Sequence, residues 1–168
     1  MRRYLILLVG AACVLLACGR GVETIAEFPV DNLDGIIAQS NVTLDREITA
    51  DGGGALRIEA PAAATIPLLE LVDPDVEKAT LTFEAKIRTQ NLTGMVYLEM
   101  LCHFPERGEF FARGLDNPVT GDVDWSSQST QFFLKAGENP DLVKLNIGVA
   151  GSGTIWVDAI KVTRGPLK

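Results

Sequence analysis

One histidine, His103, is available as a base in this sequence, and it follows Cys102 directly. A thiolate–imidazole pair needs the two side chains within hydrogen-bond reach. Neighbours on an extended strand leave opposite faces, so a strand through 102–103 excludes that pair. Carboxylates are plentiful, with 22 Asp and Glu. Glycoside cleavage needs two of them held roughly 5 to 9 Å apart. Glu99 could be one, but no spacing in the sequence fixes a second, so no catalytic residue is assigned and no enzyme is expected. What remains is recognition chemistry. Tyr97 and Trp156 offer flat rings for stacking, and Glu99 and His103 place polar groups near the first of them. Phe110, Phe111 and Arg113 form an apolar and cationic patch that suits an interaction loop. Each has a plainer role as well: aromatic rings also serve as covers of a sheet, and paired phenylalanines also plug a sandwich.

The elements that position these residues are strands. Leu81, Phe83, Ala85 and Ile87 alternate with Thr82, Glu84, Lys86 and Arg88, the pattern of a strand with one face in the core and one in water. Met95 to Phe104 predicts the longest strand, with Val96, Leu98, Met100, Cys102 and Phe104 inward and Tyr97, Glu99, Leu101 and His103 outward. Asn91-Leu92-Thr93-Gly94 predicts a reversal between the two. Shorter strands are predicted at 28–30, 41–45, 55–60, 65–71 and 130–134, with Pro67 confining its strand to an edge or a bulge. From Phe104 to Asp124-Trp125 the pattern predicts a long connection. A closing hairpin follows: Val143, Leu145, Ile147 and Val149, a Gly151-Ser152-Gly153 turn, then Thr154 to Val162. In that last strand Ile155 and Val157 are out of phase with Ile160 and Val162. One extra residue near Asp158-Ala159 restores both pairs to the core, which predicts a β-bulge. Phe83, Leu98, Leu145 and Val157 are the expected centre of the core.

The amino terminus supplies a separate line of argument. Arg2 and Arg3 precede an uncharged run, Leu5 to Ala17, that is shorter than the about 20 residues a membrane span requires. This reads as an export signal over residues 1–17. Leu15-Leu16-Ala17-Cys18 resembles the lipobox of bacterial lipoproteins, which implies acylation of Cys18, attachment to the membrane through lipid and residence in the cell envelope. Gly19, where an aspartate would imply retention at the inner membrane, favours the outer membrane. Loss of Arg2 and Arg3 with the signal leaves 13 Lys and Arg against 22 Asp and Glu, so the formal charge moves from −7 to −9. An acidic surface repels phosphate backbones, and no nucleic-acid partner is expected. Of the three cysteines, Cys13 leaves with the signal and Cys18 carries lipid, so Cys102 has no disulfide partner and is expected to pack as a small hydrophobe.

Asp51-Gly52-Gly53-Gly54-Ala55-Leu56-Arg57-Ile58, Asp124-Trp125 ahead of Phe132, and Gly151 to Val162 together resemble the landmarks of galactose-binding-like jelly rolls, the fold of many carbohydrate-binding modules. The expected organisation is a signal peptide at 1–17, a lipidated cysteine and tether at 18–27, and an all-β domain at 28–168, a two-sheet antiparallel β-sandwich. The resemblance implies binding of a carbohydrate or glycan without catalysis, on a sheet face bearing Tyr97, Glu99, His103 and Trp156. No cofactor is required. A structural calcium ion at Asp158 is implied by the resemblance, whereas the residues alone equally suit Asp158 as a cap of the bulge. A second function class is an envelope scaffold that binds another protein through Phe110, Phe111 and Arg113.

Overall fold

The computed structural model describes residues 21–167, so the signal, the lipobox and Cys18 lie outside the described residues. Nine strands and no helix occur among those residues. Seven strands are short or moderate: β1 (Glu23–Phe28), β2 (Val42–Asp45), β3 (Ala55–Ala60), β4 (Ala64–Val72), β6 (Gly108–Arg113), β7 (Val119–Thr120) and β8 (Val123–Leu134). The other two are β5 (Ala79–Phe104) and β9 (Leu142–Pro166). These pair antiparallel along almost their whole length, from Ala79↔Pro166 to His103↔Leu142.

That ribbon corrects two expectations. The reversal predicted at 91–94 and the hairpin turn predicted at 151–153 are not chain reversals; they face each other mid-ribbon, Thr93 opposite Ser152 and Gly94 opposite Gly151. They form a corner. Asn91 (φ 54) and Gly94 (φ 84) bend one strand. A Cβ on Gly94 would overlap the Ala150 carbonyl oxygen, and one on Gly151 would overlap that of Thr93. Glycine is therefore the residue that lets the two backbones close. Glycine and asparagine announce positive φ, but they do not say whether the chain reverses or bends.

Each half of the ribbon recruits its own neighbours. Residues 79–90 and 154–166 lie between β8 on one side and β3 and β1 on the other, with β2 outside β3. Residues 94–104 and 142–151 lie between β6 and β7 on one side and β4 on the other. Leu81, Phe83 and Ile87 from the first half join Val96, Leu98, Met100 and Cys102 from the second in one buried cluster. Two antiparallel sheets thus face each other across a single core, the predicted all-β sandwich.

Phe83, Leu98, Leu145 and Val157 are all buried in that cluster, as their strand phases predict. The bulge is present too. Glu84 pairs Lys161 and Lys86 pairs Asp158, which leaves Ala85 opposite both Ala159 (φ 49) and Ile160. Ile155, Val157, Ile160 and Val162 are consequently all in the core. Pro67 sits at a register shift in β4, an edge strand. Residues 23–27, expected as part of a tether, instead belong to the sheet: β1 begins at Glu23 and pairs β9, with Glu23 and Arg164 in an ion pair. Cys102 is fully buried, and desolvation pushes its thiol up to about 12, so it is an unreactive core residue.

Candidate functional site

The outward face of the sheet built on residues 94–104 carries Tyr97, Glu99, Leu101 and His103, as the alternation requires. Adjacent strands extend each of these into a row. Glu99 lies between Arg113 of β6 and Asn146 of β9. Arg113 Nε donates to Glu99 Oε2 at 2.5 Å, and Asn146 Nδ2 donates to Oε1 at 3.1 Å. Glu99 is only 3% exposed. A buried carboxylate is tolerable when both oxygens are hydrogen-bonded and a cation neutralises it, and both conditions hold here. The bond from Glu99 in turn raises the Arg113 pKa above its ordinary value.

Tyr97 stands opposite Gly148, where a Cβ would overlap the tyrosine ring, so the absent side chain is what lets the ring lie down on the sheet. His103 Nδ1 is 2.6 Å from Asp141 Oδ1. Lys144 and Glu109 form a further ion pair on this face. Tyr97, Glu99 and His103 are therefore brought together with Arg113, Asn146 and Lys144, a band of polar groups held in fixed orientation beside one flat ring. Two cavities, of about 760 Å³ beside Val22, Lys78 and Arg164 and about 380 Å³ beside Asn41, Glu59 and Asn91, lie away from it. Within the band Arg113, His103 and Lys144 are partly exposed, and Glu99 and Asn146 are buried behind them.

Trp156 does not join this group. It lies on the other half of the ribbon, 2% exposed, between Arg57 of β3 and Arg88 of β5, each guanidinium 5.8 Å from the ring centroid. Its Nε1 donates to Asp45 Oδ2 at 2.8 Å. The amide of Ile48, and then this indole, hold the Asp45 carboxyl below its ordinary range. Trp156 thus pins the β2 end to the sheet, and its ring is not free for a ligand.

Asp158 is fully buried, and its carboxylate accepts from the amides of Ala50 at 2.7 Å and Ala159 at 2.6 Å. It ties the bulge to the loop after β2. Calcium needs six or more oxygen donors. Here both Asp158 oxygens are committed to amides, and the Asp31 carbonyl accepts from the Arg46 guanidinium at 2.9 Å. Among the described residues no group of three or more His, Cys, Asp or Glu side chains could hold a metal ion. The two amide bonds make Asp158 a hydrogen-bonded cap of the bulge.

Phe110, Phe111 and Arg113, expected in a loop, belong to strand β6, which returns along β5 after a tight turn with Glu106 (φ 63) and Gly108 (φ 82). Phe110 points to the inner side and meets Phe104 edge-on, with centroids 5.9 Å apart. Phe111 and Arg113 share the outward face, the guanidinium 4.4 Å from the Phe111 ring centroid. The adjacent phenylalanines concealed an ordinary alternation, Glu109, Phe111 and Arg113 against Phe110 and Ala112. Asn146 and Lys144 carried a comparable signal, as polar residues between Val143, Leu145 and Ile147.

No family sequence model matches the chain, and no curated protein sequence does. Solved structures do match in shape. The CBM22-1 xylan-binding domain of Paenibacillus barcinonensis Xyn10C superposes with a TM-score of 0.63 at 11% identity, covering 89% of this chain and 99% of that one. The Clostridium thermocellum Xyn10B CBM22-1–GH10 modules, complexed with xylohexaose, give 0.63 at 12% identity over 84% of this chain and 28% of that one. The family 30 carbohydrate-binding module of a C. thermocellum cellulosomal cellulase gives 0.50 at 19% identity over 74% and 82%. The fold is the jelly roll of carbohydrate-binding modules.

Proposed function

We propose that this chain is a non-catalytic carbohydrate-binding domain, carried in the cell envelope on a lipid at Cys18, with the outer membrane as its membrane. The observation that carries the reading is the outward band in which Tyr97 lies over Gly148 beside the Arg113–Glu99–Asn146 row. Sugar recognition needs an apolar plane for the ring face and fixed polar groups for the hydroxyls; Tyr97 supplies the plane and the partly exposed Arg113, His103 and Lys144 the polar groups, with the buried Glu99 and Asn146 fixing the row from behind. Likeness of fold to xylan-binding modules supports it. The non-catalytic part of the reading is supported by the groups themselves: Glu99 is hydrogen-bonded to Arg113 and Asn146, His103 to Asp141, and Cys102 is a buried thiol.

Titration of the protein with xylohexaose, cellohexaose and a glycan array tests the site. Tyr97→Ala is expected to weaken binding of whichever glycan is retained by about tenfold, or about 1.4 kcal/mol, with no sugar released by wild type or variant. Full affinity in a folded Tyr97→Ala protein would place the site elsewhere. The anchor has its own test. Labelled palmitate fed to expressing cells should enter the wild type and not Cys18→Ser, and equal labelling of both would remove the lipid from the proposal.

A further inference from the structure

Among the described residues, strand β6 is a regular edge of this sandwich that carries two adjacent exposed phenylalanines. The other edges carry the features that discourage pairing with a further strand. β4 has Pro67 and a register shift, β1 has a shift between Thr24 and Ala26, and β2 is four residues long. β8 shows exposed Ser127, Ser129 and Gln131 along much of its length. β6 instead runs without a shift from Gly108 to Arg113, with Phe110 43% and Phe111 60% exposed.

The direction of its free backbone groups can be read from one bond. Gly114 N donates to Leu98 O at 2.9 Å, in the same register as the rest of the β5–β6 pair. Antiparallel ladders alternate, so Phe110 and Ala112 turn their N–H and C=O towards β5 while Glu109, Phe111 and Arg113 turn theirs away. Glu109 and Phe111 thus turn their backbone groups to the edge and Arg113 its N–H, the Arg113 carbonyl accepting from Leu115 N at 2.9 Å, in the order acidic, aromatic, basic.

We propose that β6 pairs antiparallel with β6 of a second copy of this chain, centred on Phe111. In that register Phe111 meets its own counterpart, and Glu109 lies opposite Arg113 of the second copy, twice over by symmetry. Side chains at both positions remain partly exposed beside their own-chain partners, so each can serve the second contact. A register centred on Phe110 would oppose Arg113 to Arg107, and one centred on Ala112 would oppose Arg113 to Phe111 and leave Glu109 without a cation. Opposite charges directly across a ladder stabilise and like charges destabilise, which selects the Phe111 centre. The pairing rests on the sheet edge and not on the glycan reading; where both hold, two sugar-facing bands lie side by side in one continuous sheet.

A few paired residues bury less than the roughly 1,200 Å² of a stable interface, so the association is weak and is best captured covalently. Phe111→Cys in the full chain puts two thiols about 5.5 Å apart at Cα, within the range of a disulfide. Glu109→Cys leaves its two copies about 14 Å apart, out of that range. On oxidation, Phe111→Cys should give mostly dimer on a non-reducing gel, and Glu109→Cys no more than the wild-type background from its native cysteines. Adding Glu109→Arg to Phe111→Cys opposes two arginines and should cut the dimer at least about threefold. Equal cross-linking of the Phe111→Cys and Glu109→Cys proteins, or indifference to Glu109→Arg, would overturn the proposal. Sedimentation equilibrium of the wild-type chain in detergent gives a check free of mutation: a population that stays monomeric at the highest attainable protein concentration also overturns it.

Discussion

Phe83→Ala is expected to destabilise the domain by about 3 to 5 kcal/mol, the range for emptying a large aromatic site in a packed core. Phe83 is fully buried, at the middle of a strand that pairs Thr130 of β8 on one side and Val162 of β9 on the other. Neighbouring main chain is therefore held on both flanks and cannot collapse into the space. Chemical denaturation of wild type and variant reads the difference directly. A loss below about 1 kcal/mol would mean that the site relaxes, and that the two sheets are not locked together around this ring.

Gly94→Ala should produce an effect of similar size through the backbone. A left-handed conformation costs an ordinary residue about 1 to 2 kcal/mol, and Gly94 has φ 84. The added methyl also meets the carbonyl of Ala150, which belongs to a paired strand and cannot swing away. Overpacking of this kind adds about 1 to 3 kcal/mol, for a total of about 2 to 5 kcal/mol. Gly137→Ala separates the two contributions. Gly137 has φ 78 with nothing within 4 Å of the added atom, so its loss should stop at the conformational part. Equal losses at both positions would mean that the ribbon opens freely at its corner.

Alternation made the inward and outward faces legible, because period two survives any uncertainty about where strands end. It placed Phe83, Leu98, Leu145 and Val157 in the core and Tyr97, Glu99 and His103 on one face. The phase slip at Asp158-Ala159 was legible for the same reason. What alternation does not carry is partnership between strands. Nothing local says that Asn91 to Gly94 lies opposite Gly151 to Gly153, so a shared corner reads as two separate turns. The same blindness affects the site. Trp156 has the outward phase that Tyr97 has, but the flanking Arg57 and Arg88 come from strands about 70 to 100 residues away in the chain, and they make it a buried cover. Arg113, the cation that makes Glu99 tolerable in the sheet, was recognised as a residue but not as this partner. Its pairing depends on a hairpin hidden behind two adjacent phenylalanines.

The long C-terminal strand governs when this domain can fold at all. β9 is the direct partner of β1, β3, β4 and β5, and its pairs with β1 reach from Glu23 to Arg164. Such contacts close loops over nearly the full chain, the high contact order associated with folding in milliseconds to seconds. A chain emerging amino-terminus first can pair β5 with β6, β7 and β8, and β2 with β3, but β1, β3 and β4 cannot join β5 until β9 is present. Until then neither half of the sandwich can close, so the last step of folding waits for residues 142–166.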